Sequence, residues 1–384
     1  IIIPVVPDLI ESLGKIDTSE ASMYNGWLAF AYSVMLFIFS PVMGALSDRF
    51  GRRPVLLFSL LGLGLDYIIQ ATAPDLFWLF TGRVIAGIMG ASFTTATAYI
   101  ADISPPEKRA QNFGMVGMAF GLGFIIGPLI GAIFSKWGAR VPFIAASVFT
   151  LLNLVYGFFF LPESLSKENR RTFEWKRANP IGAFKQVSKY PMVKAFILPV
   201  ALMYIAHYAV QSGWNYYTKV QFNWGADMVG YSLAFVGLVI GIVQGGLIRI
   251  ILPKLGQKRS VFAGLIFTFL GFVLFGIANQ GWQVFAILIP YGLGGIAGPA
   301  IQGMMSNEVA ANEQGELQGI MSSLMSLTAI IGPLMMSYIF SFFTSKASPV
   351  YFPGAAMIAG ALLIIVAFIL MVPVLKKLKS EEKK

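Results

Sequence analysis

The sequence predicts an all-α membrane protein of twelve transmembrane helices, the first truncated, in two pseudo-symmetric six-helix bundles. Three observations carry that expectation. Of 384 residues, 57% are hydrophobic and only 12% charged, and the mean hydropathy of +0.73 is far above that of a chain folding in water. The apolar residues come in runs of roughly 20, the length that crosses a bilayer core, separated by short charged turns. The second half also repeats the first at a constant spacing of 205 residues.

In chain order, the spans lie near 1–13, a partial first crossing, then 26–47, 54–73, 76–101, 110–134 and 141–161. The second set lies near 192–216, 227–252, 260–279, 282–306, 315–343 and 350–373. The domains that follow are an N-terminal bundle 1–161, a cytoplasmic linker 162–191, a C-terminal bundle 192–373 and a basic cytoplasmic tail 374–384. The chain opens on Ile1-Ile-Ile-Pro4 inside an apolar run with no signal peptide to read, so the first span is expected to lack its beginning. The linker mixes both charge signs with Pro180 and Pro191 and reads as a solvated connector.

The net charge of +10 does not point to nucleic acid, because the bases are distributed by side of the membrane rather than on one face. The turns at 48–53, 102–109, 162–194 and 249–259 and the tail hold 22 of the 28 Lys and Arg. Lys15, Lys136, Arg140, Lys219 and Lys346 fall on the other side and Arg83 within a span. The basic side, with the C-terminus, is therefore expected to be cytoplasmic in a cell (inner) membrane. With no Cys and one His, thiol chemistry and a His-rich metal site are excluded. No nucleophile–base constellation points to an enzyme, and no cofactor is expected.

The repeat aligns Leu28-Ala29-Phe30 with Leu233-Ala234-Phe235, Gly51 with Gly256, Gly87 and Gly90 with Gly292 and Gly295, and Gly114 with Gly319. Ile125-Ile-Gly-Pro-Leu129 falls on Ile330-Ile-Gly-Pro-Leu334. A duplicated six-helix unit predicts a substrate cavity near the midplane and alternating access by rocking.

The densest charge lies in Gly44-Ala-Leu-Ser-Asp48-Arg49-Phe-Gly51-Arg52-Arg53, which cannot sit in hydrocarbon and must mark a membrane surface. This segment resembles the Gly-x-Leu-x-Asp-Arg-x-Gly-Arg-Arg/Lys loop of the major facilitator superfamily of secondary transporters. Gly123-Phe-Ile-Ile-Gly127-Pro128-Leu-Ile-Gly131, followed by Ala132, is similar to the Gly-Pro signature of that family's drug:proton antiporters. Ser47 to Leu57, Leu65-Asp66-Tyr67, Gly82-Arg83, Ile100-Ala-Asp102, Met228 to Leu233, Pro299 to Gly303 and Gly315 to Gly319 resemble the tetracycline exporters within that branch. The resemblance implies proton-driven export of an amphipathic drug, with protons as coupling ions and a substrate that can carry a divalent metal. It also places Thr268 where those exporters have an intramembrane Asp.

Asp66 stands about 18 Å into its span at 1.5 Å per residue, so it should face the protein interior. Gln70, one turn on, shares its face. Arg83 lies at similar depth on the following helix, since the two residues flank the turn at Pro74 by eight and nine positions. Asp66, Gln70 and Arg83 are candidates for substrate or proton work, with a structural ion pair as the competing reading. Gly44, Asp48, Arg49, Gly51, Arg52, Arg53 and Asp102 form a candidate conformational latch, and Gly123, Gly127, Pro128 and Gly131 a candidate hinge. In the second half, His207, Gln211, Gln244 and Gln302 place polar groups within spans, His207 also reading as an interhelical hydrogen-bonder. Trp214, Asn215, Tyr216 and Tyr217 read as an interfacial aromatic belt, and Glu308, Glu313 and Glu316 as solvated. The function expected is a monomeric, proton-coupled exporter of an amphipathic small molecule. Metabolite uptake or symport on the same fold, and a non-transporting membrane receptor, are the alternatives.

Overall fold

The computed structural model describes residues 1–105, 109–170, 172, 190–309 and 314–381; Glu313, most of the linker and the last three residues of the tail lie outside these. The described residues form helices and no strand. Nine helical stretches among them are long and apolar enough to cross a membrane. One, Ala226–Ile277, has 52 residues and would be ~78 Å long if straight. It reverses at Gly256, whose φ of 74° and ψ of 162° no helix contains. Divided there, and with the partial first helix and the helix around the apolar stretch Gly121–Ser135, the spans number twelve.

We label them α1 (Val6–Gly14), α2 (Thr18–Phe50), α3 (Arg52–Thr72), α4 (Leu76–Ile103), α5 (Arg109–Ser135) and α6 (Val141–Phe160). The second set is α7 (Pro191–Gln211), α8 (226–255), α9 (257–277), α10 (Gly281–Asn307), α11 (Gln314–Thr344) and α12 (Ala355–Glu381). The 205-residue spacing holds for boundaries as well as for residue identities. α3 and α4 begin at 52 and 76, and α9 and α10 at 257 and 281. α4 is interrupted at Ala91 and Ser92, and α10 loosens into a 3₁₀ turn at Gly294–Ile296, the two irregularities overlapping at the repeat mates Ala91 and Ile296.

Two compact units result: Ile1–Asp17 with Trp27–Pro180, and Thr18–Gly26 with Ile181–Lys384. The first turns of α2 thus pack within the second unit, where the Ser19 hydroxyl donates to the Ser341 carbonyl (2.7 Å) and Asn25 Nδ2 to the Ser212 carbonyl (3.3 Å).

Two expectations about local structure change. The charged turn contracts to Gly51 alone: Asp48 and Arg49 complete α2, Arg52 and Arg53 open α3, and Gly51 supplies the reversal with φ 103°. The aromatic belt is instead core. After α7 ends at Gln211, a short helix Trp214–Phe222 carries Trp214, Tyr216 and Tyr217 inward to at most 2% exposure. Trp214 Nε1 donates to Ser232 Oγ (2.9 Å) and the Tyr217 hydroxyl to the Phe275 carbonyl, so the polar tips that would have sought water are satisfied inside.

Candidate functional site

In the first unit, the hairpin of α3 and α4 sets the depth of the polar pair. Arg140 donates to the carbonyls of Ala71 (3.1 Å) and Ala73 (2.9 Å), occupying acceptors left open at the end of α3. Asp75 caps α4 by accepting from the amides of Phe77 (3.0 Å) and Trp78 (3.2 Å). With both ends fixed, Asp66 faces Arg83 as predicted. Asp66 is fully buried; Gln70 Nε2 donates to its Oδ2 (2.7 Å), and an Arg83 guanidinium nitrogen lies 3.8 Å from the same oxygen. The Arg83 guanidinium also sits 5.9 Å over the Tyr32 ring. Among the described residues neither Asp66 Oδ1 nor Arg83 Nε has a hydrogen-bond partner. Gly82 completes the arrangement: a Cβ there would lie 2.7 Å from Asp66 Oδ1 and from Gln70 Cγ.

The latch residues assemble at the charged end of the same unit, with Arg52 as hub. Its side chain contacts Asp48 Oδ1 (2.5 Å), Ser47 Oγ (2.6 Å) and, through Nε, Asp102 Oδ2 on α4 (3.1 Å). Asp102 also accepts from the Ser164 hydroxyl (3.0 Å). Arg49 and Arg53 stand outside this cluster. The Arg49 guanidinium lies over the Phe50 ring, and Arg53 donates to the Phe158 carbonyl (2.6 Å) while stacking over the Phe158 ring. A Cβ on Gly44 would lie at the ordinary contact distance of 3.9 Å from Thr94 Oγ1.

The residue that sequence reasoning missed is Glu163. Assigned to a solvated linker, it instead accepts from the backbone amides of Arg52 (2.9 Å) and Arg53 (3.3 Å), the open N-terminus of α3. It packs so close that a Cβ on Gly51 would fall 2.2 Å from its Oε2. The one sequence signal was its place directly after Pro162, where α6 has ended.

The glycines of the candidate hinge divide. Ile1 lies across Gly127 and Gly131, with its backbone nitrogen 3.2 Å from where a Cβ on Gly127 would stand and its carbonyl oxygen 1.9 Å from one on Gly131. Among the described residues nothing lies within 4 Å of where a Cβ on Gly123 would stand, and α5 runs unbroken through Pro128.

The polar residues of the second unit do not converge. His207 Nδ1 donates to the Met203 carbonyl one turn back (2.7 Å), and its ring lies 6.0 Å from those of Phe272 and Tyr291, within an aromatic cluster. Gln302 Nε2 donates to Gln318 Oε1 (3.2 Å), joining α10 to α11. Gln244 is exposed on a π-helical turn, Val243–Leu247, with its Nε2 3.6 Å from where a Cβ on Gly295, in the loosened turn of α10, would stand. Gln211, the last residue of α7, is exposed. Thr268 is 2% exposed; its hydroxyl donates to the Gly264 carbonyl (2.9 Å), and a Cβ on Gly294 would lie 2.1 Å from it. That position is filled by helix packing.

The model of the Major Facilitator Superfamily matches residues 1–297 and 250–384. The chain belongs to this superfamily. It is 40% identical over 366 residues to "Tetracycline resistance protein, class C" of Escherichia coli, covering 95% of this chain and 90% of that one. Among solved structures it resembles the human organic anion transporter MFSD10 (TETRAN; TM-score 0.68, 23% identity, 96% and 94% of the two chains). It also resembles the nucleoside transporter NupG (TM-score 0.73, 12% identity, 96% and 94%). This superfamily member is a multi-pass membrane transporter of small molecules.

Proposed function

We propose that the chain exports an amphipathic drug, tetracycline-like or multidrug, in exchange for protons by alternating access. The observation that carries this reading is the half-satisfied carboxylate of Asp66. It lies fully buried at membrane depth, bonded through one oxygen to Gln70, near but not in hydrogen-bond contact with Arg83, and with its other oxygen unpartnered. A proton added at Oδ1 cancels the charge that holds Arg83 and frees the guanidinium for a substrate acceptor. Loss of the proton restores the pair. Such exclusive occupancy is what exchange requires.

The names of the relatives that cover nearly the whole chain favour tetracyclines as the cargo. A divalent metal, where the drug needs one, travels with it as part of the substrate. Because Thr268 is a packing residue, coupling rests on Asp66. The basic end carrying Arg52 and the C-terminus faces the cytoplasm by the positive-inside distribution, and a monomer is sufficient for the cycle.

The test is proton movement in proteoliposomes on addition of a drug panel. Wild type should move protons with at least one drug, and Asp66→Asn should not. Silence with every drug, or unchanged movement in the variant, overturns the assignment.

A further inference from the structure

Carried forward by 205 residues, the polar group of the first unit falls on apolar positions: Asp66 on Gly271, Gln70 on Phe275 and Arg83 on Leu288. What the second unit has at this level comes from α7. The ring of His207, the single histidine of the chain, lies 6.0 Å from that of Phe272, which is the repeat mate of Tyr67 and follows Gly271. The imidazole is held from two directions. Nδ1 donates to the Met203 carbonyl (2.7 Å), and the buried rings of Phe272 and Tyr291, 5.6 Å from each other, back it at 72° and 47° to its plane. With its proton on Nδ1, the neutral ring presents Nε2 as a bare acceptor. Among the described residues Nε2 has no hydrogen-bond partner, and the residue is partly exposed.

The accessible surface of α7 shows what Nε2 opens onto. Leu198, Leu202 and Ile205 form one apolar face, with Leu198 56% exposed. Tyr204, His207 and Gln211 form a polar one, about 150° round the helix from it at 3.6 residues per turn. Between the two, Met203, Ala206 and Val210 are buried. Lipid suits the apolar face. His207 lies 16 residues beyond Pro191, about 24 Å from the start of α7. At that depth a polar tip without a partner does not face hydrocarbon. The face that carries it therefore meets water or cargo.

We propose that His207 is a specificity-determining residue, its Nε2 accepting a hydrogen bond from a neutral hydroxyl on the cargo's ring system. This role rests on the export reading above and divides the work between the halves. In the first unit the Asp66–Arg83 pair handles charge; in the second an acceptor fixed in advance by Met203, Phe272 and Tyr291 selects for a donor. An acceptor held in place costs little to order on binding. A cargo hydroxyl buried without it would lose its water and gain no partner, which is how a single acceptor discriminates.

The experiment uses the full chain purified on a histidine-free tag, so that isotope-labelled histidine gives the nitrogen signals of one imidazole. On addition of tetracycline the wild-type Nε2 resonance should shift while the Nδ1 resonance stays. In proteoliposomes, His207→Asn keeps a donor for the Met203 carbonyl and loses the Nε2 acceptor. It should raise the KM for tetracycline about tenfold, with kcat and the protons moved per drug unchanged. His207→Gln, which puts an amide oxygen near the place of Nε2, should restore the wild-type KM. An unmoved Nε2 resonance with tetracycline bound, a wild-type KM in His207→Asn, or equal losses in both variants overturns the role of His207 and leaves export standing. A wild type that moves no protons with any drug removes the export reading and this role with it.

Discussion

At Gly82 a single missing atom decides whether the intramembrane pair exists. The residue precedes Arg83 and backs onto the face that Asp66 and Gln70 share, and an added Cβ would lie 2.7 Å from a carboxylate oxygen and from a glutamine methylene. Both neighbours are buried and bonded to each other, so neither yields cheaply. Gly82→Ala should therefore destabilise the protein by about 1–3 kcal/mol, the usual cost of overpacking, and weaken export beyond the loss of folded protein. Thermal unfolding together with transport per folded molecule measures the two effects separately; wild-type values of both would show that Gly82 is a spacer. Asp66 and Arg83 are legible in the sequence because depth in a span is a count of residues from a turn. The role of Gly82 is not legible, because small residues crowd every membrane helix and contact with a carboxylate appears only once α3 and α4 are packed.

At the scale of the element, the opening of α3 shows how a helix start becomes a junction. Gly51 reverses the chain, Arg52 reaches back to Asp48 on α2 and across to Asp102 on α4, and Glu163 caps the amides of Arg52 and Arg53 from beyond α6. The span pattern, the repeat and the identity of the charged turn can all be read from composition and register, since each depends on local periodicity. Glu163 cannot, because it lies 111 residues from Arg52 in a stretch whose mixed charges look solvated. The buried aromatic group at Trp214 to Tyr217 escaped for a related reason: its indole and phenol partners, Ser232 and Phe275, lie on other elements. Glu163→Ala removes two caps and should cost about 1 kcal/mol of stability. Glu163→Gln, which keeps an acceptor without the charge, should cost roughly half of that. Equal stability of all three proteins in chemical unfolding would exclude the capping role.

For the whole molecule, the question is what the Arg52 cluster does during a transport cycle. Asp48 is 43% exposed at its side chain while Arg52 is 10% exposed, so Asp48 is the wet end of a mostly buried network. An isolated pair at such a surface is worth ~0–1 kcal/mol, too little to hold a fold together. It is enough to matter in a two-state exchange, where 1.4 kcal/mol changes the ratio of states tenfold. A cluster of this kind affects how often the protein changes state more than whether it holds its cargo, because the bonds that tie Arg52 to Ser47, Asp48 and Asp102 are separate from the one that ties Gln70 to Asp66. Asp48→Asn should therefore cripple export while leaving equilibrium drug binding detectable, and Arg52→Ala, which removes the hub, should do so more severely. Transport in vesicles and drug binding to purified protein are the paired measurements. Loss of binding with intact cycling would place Asp48 in substrate recognition and remove the latch from the mechanism.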